Sequence, residues 1–169
     1  DDNVLHNMRR RYDLVQYRNL VEKIKSIIPD VSLSTDIIVG FPGESNEEFE
    51  NTLKLVEDVQ FDKIHILKYS ERPGTLAARK MVDDVSKEEK QYRFKVLEET
   101  QKQISYKKNM SLVGKTLDVL VNGQKGEKWE GRTKSDKLVI FDCNNDFLGE
   151  IVNLRIESAS AWSLKGALV

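Results

Sequence analysis

The sequence predicts an α/β fold followed by a small five-stranded β-barrel, and two observations carry that expectation. Between residues 14 and 69, runs with helical spacing alternate with short β-branched runs, the pattern of helices crossing over between parallel strands. After Gly114 the pattern changes to five short β-rich runs separated by Gly, Asn and Asp, as in small barrels that hold oligonucleotides.

Leu14, Tyr17, Leu20, Val21, Ile24, Ile27 and Ile28 recur at helical spacing, and Pro29-Asp30 ends the run, so a helix is expected over 14–28. A strand over 33–39 follows. Its consecutive Ile37, Ile38 and Val39 suit a strand of a parallel sheet buried on both faces. Gly40-Phe41-Pro42-Gly43 turns the chain, and Ser45 with Glu48 forms a capping box that opens a helix over 46–59. Phe49, Leu53 and Val56 share one face of that helix. Residues 63–69 read as a second strand, with His65, Leu67 and Tyr69 on one face and Ile64, Ile66 and Lys68 on the other. Two strands are too few for a self-sufficient sheet, so this half is expected to belong to a larger barrel or sheet. An exposed edge of that sheet would pair with itself or be hidden irregularly.

Residues 70–85 form a long connection with Pro73-Gly74 near its head, a length that often signals function. Ser86 and Glu89 cap a helix running to about Asn109, with Phe94, Leu97, Gln101 and Ile104 facing inward. The β-rich runs then fall at 115–121, 128–134, 137–141, 148–156 and 159–165, placing a domain boundary between 1–106 and 107–169.

Charge is uneven along the chain. Residues 1–106 carry 17 Lys and Arg against 20 Asp and Glu, whereas residues 107–169 carry 10 against 8, which is compatible with a nucleic-acid contact in the second part. No apolar run approaches the ~20 residues that span a membrane. The chain starts Asp1-Asp2-Asn3 without a signal-peptide pattern, so it reads as a piece of a longer protein. Cys143 is the only cysteine, which points to a cytosolic setting and to no cysteine-based metal site in this stretch. Its expected role is that of a small hydrophobe at a strand end.

Six motifs occur in order: Met8-Arg9-Arg10-Arg11-Tyr12; Ser34-Thr35-Asp36-Ile37-Ile38-Val39-Gly40-Phe41-Pro42-Gly43-Glu44; Tyr69-Ser70-Glu71-Arg72-Pro73-Gly74-Thr75; Val113-Gly114-Lys115-Thr116; Gly131-Arg132-Thr133; and Trp162-Ser163-Leu164-Lys165-Gly166. Together they resemble the methylthiotransferase family of radical S-adenosylmethionine (SAM) enzymes over essentially the whole chain. The resemblance is closest to the tRNA branch, the 2-methylthio-isopentenyladenosine synthases. It implies the C-terminal part of a radical SAM partial TIM barrel, followed by an OB-like TRAM domain that binds RNA. It implies SAM as cofactor and, in the full-length protein, two 4Fe-4S clusters reduced by an electron donor. The barrel's Cys-x3-Cys-x2-Cys ligands are absent here, so the segment alone is expected to be inactive. The sister substrates of the family are threonylcarbamoyl-adenosine in tRNA and an aspartate of a ribosomal protein. A non-catalytic RNA-binding module is the reading from a different class.

Ligands of parallel sheets bind at the carboxyl ends of strands. With the resemblance, that rule makes Thr35, Asp36, Val39, Gly40, Phe41 and Tyr69 the expected SAM-side residues, with Gly40 allowing close backbone approach. The bland reading has Asp36 pairing within the barrel and Pro42-Gly43 serving only as a turn. His65 is expected as a satisfied core histidine. Arg10, within Arg9-Arg10-Arg11, and Arg72 are candidates for substrate or RNA contact, with Glu71 or Glu44 as alternative partners of Arg72. In the second domain Lys115, Lys128, Arg132, Lys134, Lys137 and Lys165 are the expected phosphate contacts, together with Lys125 and Arg155. Trp129 is the expected stacking surface and Trp162 the expected barrel plug. Asp136 stands where the family often has Asn, which weakens a base-reading role for that position. No residue of this stretch is expected to be catalytic or to bind metal.

Overall fold

The structure, a computed structural model, describes residues 1–169. It divides into two compact units, 1–101 and 102–169. The first contains α1 (Asp2–Asn7), α2 (Leu14–Ile27), β1 (Ser34–Val39), α3 (Asn46–Val59), β2 (Lys63–Lys68) and α4 (Leu76–Lys80). The division falls within α5 (Lys87–Met110). The second unit contains β3 (Thr116–Lys125), β4 (Lys128–Thr133), β5 (Leu138–Asp142), β6 (Ile151–Ala159) and β7 (Leu164–Leu168).

Local chemistry sets the helix starts. Asp13 and Gln16 form a capping box at α2, and Ser45 and Glu48 form another at α3, each satisfying backbone N–H groups that have no partner inside the helix. Two short helices, α1 and α4, were not legible as periodic runs because neither is long enough to show a repeat.

β1 and β2 pair in parallel, from Ser34 opposite Lys63 to Val39 opposite Lys68, and form a two-stranded sheet. No closed α/β barrel is present in the chain. One face of the sheet meets the helices. Val39 is fully buried, and Lys68 donates to Gln91 of α5 at 2.8 Å. The opposite face carries Asp36, His65 and Leu67, all exposed, with Leu67 at 50%. His65 is therefore not a core histidine as expected. No element of this chain packs on that face at His65.

The second unit is a closed barrel in the order β3-β4-β5-β7-β6, antiparallel except for β5 against β7. Val119, Val121, Val139, Phe141, Leu154, Ile156 and Leu164 fill it. Along β4 the side chains alternate, so Trp129, Gly131 and Thr133 point inward and Lys128, Glu130 and Arg132 do not. Two glycines let the strands approach. A Cβ on Gly131 would lie 2.5 Å from the Leu120 carbonyl oxygen, and one on Gly166 would lie 3.0 Å from that of Arg155.

The last two strands start later than the β-rich runs suggest. Residues 146–149 turn before β6, with the Asp146 side chain accepting from the Leu148 N–H at 2.9 Å. Ser160 to Ser163 form the turn into β7, with the Ser160 N–H donating to the Ser163 carbonyl at 2.8 Å. Asp136 lies in the β4–β5 turn at φ 59°, a left-handed conformation that Asn and Asp tolerate better than other side chains. An Asn or Asp at this place is thus explained by backbone shape, without base reading.

Candidate cofactor face and nucleic-acid barrel

The turn after β1 is held from beneath by α5. Glu44 is buried, and its carboxylate accepts from the Gly40 N–H at 2.6 Å and from Arg93 at 2.7 Å. Arg93 also donates to the Glu44 carbonyl, to Glu89 and to Asn46, and its guanidinium lies 5.4 Å from the centre of the Phe49 ring. The Arg93 and Glu44 side chains are 3% and 2% exposed. Burial works against the Arg93 charge, yet hydrogen bonds to Glu44 and Glu89 outweigh it and raise the guanidinium pKa above its ordinary value.

A second set of contacts ties the 70–85 connection to the same turn. Lys90 donates to Asp83 at 2.7 Å and sits 5.3 Å from the centre of the Tyr69 ring. Asp84 accepts from the Gly43 N–H at 2.7 Å. Phe41 and Tyr69 meet edge to face at 5.2 Å between ring centres. Burial, with Asp83 and Glu71 nearby, raises the Tyr69 pKa, so its hydroxyl stays protonated at neutral pH.

Gly40 has φ 69°, a left-handed conformation that side chains rarely adopt, and a Cβ there would also collide with Cγ of Lys90, while its N–H is committed to Glu44. Thr35 and Val39 face the helices. Burial raises the pKa of Tyr17, which lies beside Thr35. Asp36 remains on the open face, beside His65 and Leu67, its neighbour in register being His65. The open face thus combines a carboxylate, which accepts from hydroxyls, with apolar side chains that cover an aromatic ring. That donor set fits the ribose and adenine of SAM. Arg10 and Arg72 are exposed, and Glu44, a suggested partner for Arg72, is taken by Arg93. Nothing in the residue pattern announces the buried Arg93, which lies in a helix rich in Lys and Glu. Its only trace is the Glu89–Arg93 spacing of four.

In the barrel, Trp129 is 7% exposed, packs in the core and donates its indole N–H to the Cys143 carbonyl at 3.1 Å. It has no face left for stacking. The alternation of β4 carried that information, since Lys128, Glu130 and Arg132 define the outer side. Trp162, expected inside, is 61% exposed, because it sits on the turn between two strands and not on the inward side of either. Lys128, Arg132 and Lys134 each face a carboxylate, Asp142 at 3.5 Å, Asp136 at 3.7 Å and Asp118 at 2.9 Å. Arg132 additionally donates to the Asp136 carbonyl at 3.0 Å. Lys115, Arg155 and Lys165 are exposed, as is Lys125 near the β3–β4 turn, while Lys137 is half-buried.

Residues 110–169 match the TRAM domain family. Across its whole length the chain is 45% identical to the tRNA-2-methylthio-N(6)-dimethylallyladenosine synthase of Herpetosiphon aurantiacus, of which it covers 39%. It is 46% identical to the protein of that name from Dehalococcoides mccartyi, with 99% of the chain and 40% of the relative aligned. The protein of that name from Acetivibrio thermocellus is also 46% identical, over 98% of the chain and 35% of the relative. The chain is a homologue of the C-terminal part of these synthases. It spans about two fifths of the length of the first two relatives. Among solved structures, a Streptococcus pneumoniae multidomain protein with nucleic acid binding domains overlaps 36% of the chain and 24% of its own, at 13% identity and a TM-score of 0.32, too slight a likeness for a fold assignment.

Set beside the synthases, the chain offers nothing that fits an iron–sulfur cluster. Such clusters are held by several Cys thiolates, and the one cysteine here, Cys143, is half-buried against the barrel core. No group of three or more His, Cys, Asp or Glu side chains has metal-binding geometry. No helix is long and apolar enough to cross a membrane.

Proposed function

We propose that this chain is the closing portion of a tRNA methylthiotransferase that adds a methylthio group to position 2 of isopentenyladenosine. In this reading the first unit contributes the last strands of a radical SAM barrel and the second docks the tRNA. The observation that carries it is 45% identity along the whole chain to a synthase named for that product. The two-stranded parallel sheet supports it, because each strand has only one neighbour and one face is uncovered. Such a sheet has the form of a segment taken from a larger one.

SAM, when bound, supplies the C–H activation and the methyl group. The residues of this chain position it. Asp36 accepts from ribose hydroxyls, and Leu67 with Ile38 shields the adenine from water. The Phe41–Tyr69 pair closes the carboxyl end of the sheet, with Lys90 against the Tyr69 ring. Arg10 and Arg72 stand as rim contacts for substrate. The cluster ligands lie outside this chain, so residues 1–169 alone are inactive. In the longer, cytoplasmic enzyme an electron donor reduces the clusters.

Deleting the gene and measuring modified nucleosides in total tRNA by mass spectrometry tests this. The methylthio group is expected to vanish from isopentenyladenosine and to return with the full-length gene, but not with residues 1–169. Loss from threonylcarbamoyl-adenosine instead would move the substrate to the sister branch. Unchanged nucleosides would overturn the tRNA assignment and leave an RNA-binding module or a protein substrate.

A further inference from the structure

The barrel has one end where positive charge, an exposed indole and a fixed backbone coincide. Trp162 tops the turn between β6 and β7, and no hydrogen bond engages its indole N–H. The turn itself is locked. Ser160 Oγ accepts from the N–H groups of Trp162 at 3.2 Å and Ser163 at 3.0 Å, and the Ser160 N–H donates to the Ser163 carbonyl. From the other side Asn109, at the end of α5, donates through Nδ2 to the carbonyls of Ser160 at 2.9 Å and Ala161 at 3.2 Å. Asn109 is 4% exposed, so this tie is shielded from water.

The two segments joined by Asn109 carry charge of one sign. From Thr100 to Leu117 and from Ser158 to Val169 there is no Asp or Glu, while Lys107 and Lys165 flank the joint and Tyr106 adds a second exposed aromatic ring. The β4 side differs, since Lys128, Arg132 and Lys134 each already face a carboxylate. Surface ion pairs of that kind contribute little to stability, but they cancel the local field that draws a phosphate chain.

We infer that the Trp162 turn and the last turns of α5 form the RNA-contacting end of the barrel, with Trp162 as a platform on which one unpaired base stacks and the lysines as phosphate contacts. This rests on the RNA-binding reading of the second unit and adds where on it the RNA sits. An exposed indole on a preorganised turn stacks a base without losing backbone freedom on binding. Stacking is sequence-tolerant, because every base has a flat face.

The test uses the whole 169-residue chain and a fluorescein-labelled single-stranded oligoadenylate, with an unmodified tRNA transcript in parallel. Trp129 is buried, so the iodide-quenchable tryptophan emission belongs to Trp162, and saturating oligoadenylate is expected to protect it. Trp162→Ala is expected to weaken binding about tenfold or more, and Trp162→Phe to restore most of it. Lys107→Ala and Lys165→Ala are each expected to reduce the slope of log affinity against log salt by roughly 0.7, while Lys128→Ala changes it less. A blunt duplex is expected to bind without protecting Trp162. Because the Trp162 side chain is exposed, its variants keep the fold, which an unchanged thermal melt verifies. Salt-dependent RNA binding with unchanged affinity in Trp162→Ala overturns the platform and leaves the RNA reading standing. No binding of either RNA overturns both.

Discussion

Replacing Gly131 with valine is expected to abolish folding of the barrel. Overpacking a core costs about 1–3 kcal/mol where flexible side chains can give way. Here the nearest atom to the added Cβ is the Leu120 carbonyl oxygen at 2.5 Å, with Val119 Cγ1 at 2.6 Å, so β3 and β4 have to separate. Gly131 faces Val121 across one ladder and Val139 across the other, so both pairings of β4 suffer together. A domain of this size has only a few kcal/mol to lose. Urea unfolding in a Trp162→Phe background, where Trp129 is the one remaining indole, checks it. The variant should show a water-exposed indole before denaturant is added, and Gly131→Ala should have a lowered midpoint. A native midpoint in Gly131→Val would show that the barrel closes more loosely than the close strand approach implies. Gly131 in the Gly-Arg-Thr motif is thus explained by strand distance.

Replacing Arg93 with methionine is expected to unfold the turn after β1 and cost about 3–5 kcal/mol, because Glu44 is left buried without its partner. The double variant Arg93→Met with Glu44→Gln should recover a large part, since the loss comes mainly from an uncompensated charge. The raised pKa of Arg93 gives the pH behaviour. A cation stabilised in the folded state contributes fully below its unfolded pKa, and that contribution fades only as pH rises through the raised folded value. The guanidinium therefore stays charged throughout the neutral range, and its contribution should not vary there. Thermal melts of the single and double variants would decide. Equal destabilisation of both would mean that lost packing, and not the stranded carboxylate, dominates.

Much of the architecture was readable from residues alone because each element carries its own signal. The Ser45–Glu48 box fixes the start of α3, and Phe49 and Val56 both prove buried on it. Ile37-Ile38-Val39 and the alternation in residues 116–142 announce strands that the structure contains. The site was less readable, for three separate reasons. His65 and Leu67 sit in a strand with core-like composition, yet their face is open, and periodicity does not report whether a layer packs against a strand. Gly40 looks like a ligand-approach glycine, yet the space is filled by Lys90, fifty positions away in sequence. The two tryptophans exchange their expected places. Trp129 obeys the alternation of its strand, whereas Trp162 falls in a Ser-bounded turn without Gly or Pro, which composition made look like strand.

Backbone hydrogen exchange on the 169-residue chain and on the full-length gene product separates an unfinished sheet from a complete one. Slow exchange is expected throughout β3 to β7 in both. In the short chain, amides of residues 34–39 and 63–68 are expected to exchange much faster, and to become as protected as the barrel once the upstream sequence is present. Equal protection of β1, β2 and the barrel strands in the short chain would contradict the reading of the first unit as the closing piece of a larger parallel sheet.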